Sequence, residues 1–298
     1  MRKPSLFLGV AAGLWLAAAG PALADCRVLD ADVKAALAQA ALPRFDALYA
    51  QVQADTSCDA GYRSSVGRLM ARIVLSTLPT DADASRIEVA TKYGRPWQVL
   101  VVIGDAYYAK GQWPQAQAAY EEALDDMRDI AANPAPPPAD VEKRAYKRAV
   151  QARALAPTYV ATRQVRGEKT GLANPTFRNF TAVSVPVPVQ FDVDQDVLTP
   201  QGQAAVKDIY AYLAQQQGVG VVRIVGHTDP RGTDAYNYDL SQRRAGSVAA
   251  YLQVLGYRGR IEVQGKGKTE PFQPDDASKY TPDQLFAFDR RVEYQILH

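Results

Sequence analysis

Two hydrophobic periods divide this chain. From residue 27 to about 165, apolar residues recur at spacings of three and four, the mark of amphipathic helices. Val33, Leu37, Ala40 and Ala41 form one stripe, and Val66, Leu69, Ile73 and Val74 form another. Pro43, Pro79 and Pro96 mark helix ends, and Asp59-Ala60-Gly61 reads as a turn. From Val185 the period falls to two. Val185, Val187, Val189 and Phe191 alternate with Pro186, Pro188 and Gln190, and the prolines confine this strand to an edge or to its first residues. Thr199-Pro200 opens a helix as N-cap and first residue, with Val206, Ile209 and Leu213 as its buried stripe and Gly218 as its close. Val219 to Val225 predicts a strand, and Thr233 or Asp234 begins a long helix that Gly256 ends. Ile261 to Val263 predicts a third strand, and Val292, Tyr294 and Ile296 a last one. The expected class is α+β, with an all-α N-terminal half.

The first residues have a separate purpose. Arg2 and Lys3, the apolar run from Leu6 to Ala19, Pro21 and the small residues of Ala22-Leu23-Ala24 predict a secretory signal over residues 1–24. A retained N-terminal anchor is the alternative, though the run is short and poorly flanked for a membrane span. A lipoprotein signal also ends at a cysteine. Here Asp25 stands before Cys26, where lipidation requires a small residue, so the mature chain is expected to begin at Asp25. The other cysteine is Cys58, and an even pair in an exported chain predicts a disulfide, with two free thiols as the alternative. Closing a loop of about 30 residues stabilises by roughly 3 kcal/mol in the loop-entropy view.

Composition excludes more than it assigns. No later stretch is apolar enough to span a bilayer, and no series of alternating ten-residue strands predicts an outer-membrane barrel. The formal charge of +2 argues against nucleic acid as a partner. Two histidines and two cysteines leave no zinc cluster, and no cofactor is expected. No nucleophile–histidine arrangement or carboxylate pair in the C-terminal module predicts an enzyme, and the lone acids Glu88 and Glu121 read as solvated.

Leu100 to Tyr108, then Gly111, Trp113, Ala116, Tyr120 and Ala123, resemble one tetratricopeptide repeat, a helix-turn-helix unit of about 34 residues. The resemblance puts Gly104 where the two helices close on each other, Gly111 at the turn, and Tyr120 in the gap between helices. Leu100 replaces the usual tryptophan and the closing proline is missing, so an ordinary helical hairpin is the competing reading. Asn133 to Pro138 reads as a stiff extended linker. The helix after it carries Lys143, Arg144, Lys147, Arg148 and Arg153, a solvated face in the plainer reading and a dock for an acidic partner in the sharper one. Gly167, Gly171 and Asn174-Pro175 mark a second linker. The expected organisation is a signal (1–24), a repeat-like helical domain (25–165), a linker (166–184) and a C-terminal module (185–298).

In the module's second helix, Asn237 and Arg244 fall on the stripe of Leu240, Val248, Tyr251, Leu252 and Leu255, while Arg243 falls off it. A guanidinium aimed inward needs a partner or a ligand. Asp229 lies in the turn Gly226-His227-Thr228-Asp229-Pro230-Arg231-Gly232, beyond a strand's carboxyl end, where α/β folds collect ligands. An acid, an amide and a guanidinium together suit a zwitterion; a purely structural Asp229–Arg244 salt bridge is the alternative.

Gly226-His227-Thr228-Asp229, Gly232, Asn237, Leu240-Ser241, Arg243-Arg244-Ala245 and Val248 resemble the OmpA-like peptidoglycan-binding domain. Phe191 to Asp194 with Leu198-Thr199-Pro200 resembles its opening, and Asp289-Arg290-Arg291-Val292-Glu293 its closing motif, with Asp289 in place of the usual asparagine. The resemblance implies a β/α/β/α/β-β module holding the meso-diaminopimelate of a peptidoglycan stem peptide. Asp229 and Arg244 would clamp the zwitterion, Asn237 would add a hydrogen bond, backbone near Asp192 would line the site, and Arg291 would contribute. The missing catalytic groups argue against a peptidoglycan-acting enzyme. Together with the signal and the repeat-like helices, the expectation is a non-enzymatic periplasmic protein at the cell wall, with association to the outer membrane left open, whose helical half presents a face to a protein partner.

Overall fold

A computed structural model describes residues 26–156, 164–165, 168–169, 171–187, 189, 191, 195–216 and 220–297. The expected signal, with Asp25, lies outside the described residues, as does Asp192. The chain divides into two compact units, Met1–Val66 and Gly67–His298.

The first unit holds α1 (Cys26–Ala38), α2 (Leu42–Ala54) and the opening turns of α3 (Ala60–Thr77). Cys26 and Cys58 form the expected disulfide, with Cα atoms 5.2 Å apart, and both cysteines are buried. The α1 stripe ends earlier than the sequence period suggests. Val33 and Ala36 are buried, while Ala40 lies beyond the helix with a φ of 47°. Where the sequence suggests a turn, Asp59 stands just before α3, its carboxylate accepting from the amide of Tyr62 at 2.8 Å, and Ala60 and Gly61 open the helix.

The second unit continues with α4 (Ala84–Glu88), α5 (Trp97–Ala109), α6 (Trp113–Arg128) and α7 (Ala139–Leu155). α5 and α6 form the expected hairpin. A Cβ on Gly104 would lie 2.7 Å from the ring of Tyr120, so only glycine lets that ring sit against α5. Gly111 turns the chain at a φ of 68°, and Ala116, Tyr120 and Ala123 are wholly buried. Leu100, Leu124, Met127, Ala145 and Ala149 complete this core.

The basic stripe of α7 is engaged with acids of the chain itself. Lys143 is exposed, Arg144, Lys147 and Arg148 are partly exposed, and Arg153 is buried. Arg144 and Arg148 both reach Asp105, Lys147 pairs with Asp275, and Arg153 lies 3.8 Å from Asp208 with both side chains buried. Glu121 is likewise buried, not solvated, and burial pushes its carboxyl up to about 7. The reason is positional: these side chains sit where α6 and α7 meet neighbours that sequence periodicity does not reveal.

Part of the segment 172–182 is packed. Leu172 and Phe177 join the helical core, Ala173 joins the next one, and Phe177 stacks on Phe180. Arg178 and Asn179 bind the proline-rich stretch before α7, donating to the carbonyls of Pro134 and Pro137 at 3.1 and 3.0 Å.

Short strands β1 (Gln164–Val165) and β2 (Glu168–Lys169) pair with each other. The main sheet holds β3 (Val185–Val187), β4 (Val221–His227), β5 (Arg260–Gly267) and β6 (Val292–Leu297) in the order β3-β6-β4-β5. β4 and β5 run parallel; β6 is antiparallel to both β3 and β4. β3 is an edge strand, as its prolines require. α8 (Pro200–Leu213) and α9 (Asp234–Val254) follow β3 and β4. They bury Val206, Ile209, Leu213, Leu240, Val248 and Leu252, and all but Leu240 join the core formed with Val222, Ile224, Val292 and Tyr294. α10 (Pro282–Asp289), which the sequence periods do not show, precedes β6. The module is thus the expected strand–helix alternation plus one helix. No helix among the described residues is long and apolar enough to cross a membrane.

Candidate functional site

The site begins where β4 ends. A Cβ on Gly226 would stand 2.2 Å from the carbonyl oxygen of Ser241, so the glycine lets the backbone of α9 lie directly on the strand. Ser241 locks the approach, its hydroxyl donating to Tyr238 O at 2.8 Å and accepting from the amide of Gly267 at 2.9 Å. Gly232, at a φ of 88°, turns the chain into α9, and Thr233 caps that helix through the amide of Tyr236.

This turn tucks Asp229 inward to 7% exposure. Its Oδ1 accepts from the amide and Nε of Arg231 at 3.2 and 3.1 Å. Its Oδ2 accepts from Arg231 Nη2 at 2.5 Å and Arg290 Nη1 at 3.0 Å. Burial alone would raise this carboxyl, but the hydrogen bonds of the two arginines outweigh it and hold Asp229 below its ordinary value. Asn237 is 2% exposed and donates from Nδ2 to Arg231 O at 2.8 Å. Asp229 and Asn237 therefore meet through Arg231.

Arg244 stands two turns further along α9 from Asn237. Its Nε donates to Gln195 O at 3.0 Å, and its guanidinium lies 5.0 Å over the ring of Phe191. It thus faces Phe191 and Gln195. Among the described residues, Asp229 pairs with Arg231 and Arg290. The alternative of a purely structural Asp229–Arg244 salt bridge is therefore not what forms, because the turn supplies its own arginine two residues away. Arg243 is exposed as expected, and it pairs with Asp239 and Asp196.

Arg291 points elsewhere. Its Nε donates to Glu293 Oε1 at 2.7 Å, and its Nη2 to Glu270 O at 3.2 Å. Arg290, at the end of α10, reaches Asp229, while Arg291, just before β6, pairs with Glu293. His227 ends β4 and is buried beside this pair, its Nε2 3.8 Å from Glu293 Oε1. Burial, then the nearby Arg291 charge, push the imidazole down to about 4, so it is neutral at pH 7. Asp289 accepts from the amide of Phe272 at 2.8 Å, and burial raises its carboxyl.

Arg231 and Arg290 escape the sequence reading. In the sequence Arg231 stands only as one residue of the turn, and Arg290 as one of the closing motif. Arg290 is delivered by α10, whose signal is present: Thr281-Pro282-Asp283-Gln284 forms a capping box, with both reciprocal hydrogen bonds made.

Comparison with known proteins bears on this same region. Residues 190–281 match the OmpA family model. An outer membrane protein A of Bordetella avium is 41% identical over 108 residues, which is 36% of this chain and 53% of that protein. An outer membrane protein A of Shimwellia blattae is 36% identical over 114 residues, covering 36% of this chain and 47% of that one. The chain spans about half the length of these curated relatives. A crystal structure of the peptidoglycan-associated lipoprotein from Burkholderia pseudomallei shares 31% identity over 37% of this chain and 88% of that one, with a TM-score of 0.31. With Gly226, Asp229, Asn237 and Arg244 all falling inside the matched span, the C-terminal region of this chain is a domain of the OmpA family.

Proposed function

We propose that the chain is a non-enzymatic periplasmic protein that grips peptidoglycan through the diaminopimelate of a stem peptide. Its helical region would hold a protein partner at the wall. The observation that carries the reading is Asp229: an acid kept ionised at the mouth of an OmpA-family strand–turn–helix, with Asn237 behind it. The ligand's ammonium takes the place of Arg231, whose side chain is 65% exposed, against the Asp229 carboxylate. Arg244, at the other end of the site, takes the ligand's carboxylate, and backbone near Asp192 closes the site. Arg291 holds Glu293 and acts through the frame. Two or three charge-assisted hydrogen bonds, less the cost of association, give about micromolar to millimolar affinity per site. A wall displaying many copies makes that sufficient.

The proposed parts are a helical domain over residues 25–165 and a wall-binding module over 185–298. The alternative, an outer-membrane lipoprotein joined to lipid at Cys26, is disfavoured by the Cys26–Cys58 bridge, because one sulfur cannot carry both a thioether and a disulfide. Mass spectrometry of the mature N-terminus separates the two.

Co-sedimentation of the mature chain with purified sacculi tests the wall reading. Wild type is expected to pellet, and folded Asp229→Asn and Arg244→Ala to lose about tenfold or more in affinity. Folded variants that pellet like wild type would remove these residues from the site.

A further inference from the structure

The function proposed for the OmpA-family domain leaves the basic stripe of α7 unexplained. α5 and α7 meet over Asp105, which takes Arg144 Nη1 at 2.8 Å and Arg148 Nη1 at 2.5 Å. Arg148 also lies 5.5 Å from the ring centre of Tyr108. Two side chains from the segment between β5 and α10 reach this same face. Asp275 Oδ1 is 2.6 Å from Lys147 Nζ. The hydroxyls of Tyr280 and Tyr108 are 2.5 Å apart, and they lie 3.1 and 2.6 Å from Gln151 Oε1.

Two features mark this as an occupied binding surface and not a finished core. The Lys147–Asp275 pair is 37% and 47% exposed, so water competes for it. Gln151 is 1% exposed, yet its Nε2 has no acceptor among the described residues. Turning the amide over would only leave the other end unmet. A buried amide half satisfied by its neighbour asks for one more polar group than residues 275–280 supply.

We propose that the α5–α7 face is a docking surface for an acidic, tyrosine-bearing protein segment, and that residues 275–280 occupy it in cis as a resident mimic. Lys147 takes the carboxylate, Tyr108 and Gln151 Oε1 take the phenol, and Gln151 Nε2 donates to a carbonyl or carboxylate that only the partner provides. The resident segment is anchored on both sides by Phe272 and Phe288, whose rings pack 5.3 Å apart. Tethering of this kind gives an effective concentration of about millimolar, so a partner must bind better than the mimic to displace it. The inference rests on the reading that the helical region holds a partner; it is independent of wall binding.

The test uses the mature chain with its disulfide intact and a fluorescein-labelled synthetic peptide of residues 271–282, read by anisotropy without wall material. Asp275→Asn with Tyr280→Ser opens the face. Tyr280→Phe keeps the ring against Phe288 and serves as a milder opened form. Opened chains that fold, by circular dichroism, are expected to bind the peptide below about 1 mM, and at least about tenfold tighter than wild type. Adding Lys147→Glu to an opened chain is expected to abolish binding. Folded opened chains that ignore the peptide, bind no tighter than wild type, or are insensitive to Lys147→Glu would overturn the proposal. Because sacculi are absent, a failure of the wall reading cannot produce any of these results.

Discussion

Gly104 in the helical hairpin and Gly226 in the OmpA-family domain each remove a Cβ so that two segments can close, but they make room for different things. At Gly104 the neighbour is a ring edge, Tyr120, at the end of a side chain whose hydroxyl donates to Asp105 at 2.6 Å. At Gly226 the neighbour is a main-chain carbonyl, Ser241 O, in the middle of a helix. A side chain can shift by a few tenths of an ångström; a helix backbone moves only with everything attached to it. The first contact therefore sets how well two helices pack, and the second sets where Asp229 and Asn237 stand.

The largest expected effect follows directly. Gly226→Ala should cost more than about 3 kcal/mol by denaturant unfolding, since the overlap is with backbone. A loss under about 1 kcal/mol would mean that α9 slides easily and the contrast is false. Next is the acid beside Tyr120 on α6. The Glu121 carboxyl sits at about 7, above its ordinary 4.5, because of burial. The folded chain thus holds its proton in that window while the unfolded chain releases it. This contribution to stability is complete below pH 4.5 and is lost as pH rises through 7. Glu121→Gln should therefore stabilise by about 3 kcal/mol at pH 8 and change little at pH 4, in paired thermal melts. A gain that is equal at both pH values would place the charge elsewhere. Gly104→Ala should cost about 2 kcal/mol, less than Gly226→Ala, and should leave sacculus binding unchanged in the folded fraction. Arg243→Ala, which removes only exposed ion pairs, should cost under about 1 kcal/mol and retain wall binding.

The same contrast explains what could be read from sequence. The hairpin was legible because its signals are local: Gly104, Gly111, Ala116, Tyr120 and Ala123 lie within one repeat, and each small or large residue has its reason within 20 positions. The core stripes of α8 and α9 were legible for the same cause. At the site, the turn bearing Asp229 and the inward face of Asn237 could be read, but the partner of Asp229 could not. Helical phase places Arg244 on the right face without saying that Arg231 is closer or that α10 brings Arg290 across 61 positions of chain. The basic stripe of α7 misled in the opposite sense. Its charges look solvated in sequence because their partners, Asp105, Asp208 and Asp275, lie on three other segments. Long-range pairing of charged groups leaves no period to read.

The strand order β3-β6-β4-β5 has a consequence for the making of the molecule. Among the described residues β6 is the last strand in sequence but lies between β3 and β4, which are not neighbours in the sheet. During synthesis the site turn after β4, its helix and β5 can all be present while the opening strand still has no place to dock. Only when residues 292–297 arrive do the two halves become one sheet, and with them comes Arg290 to meet Asp229. A chain stopped a few residues short would carry Asp229, Asn237 and Arg244 but lack the strand that joins β3 to β4, so its sheet would stay in two parts.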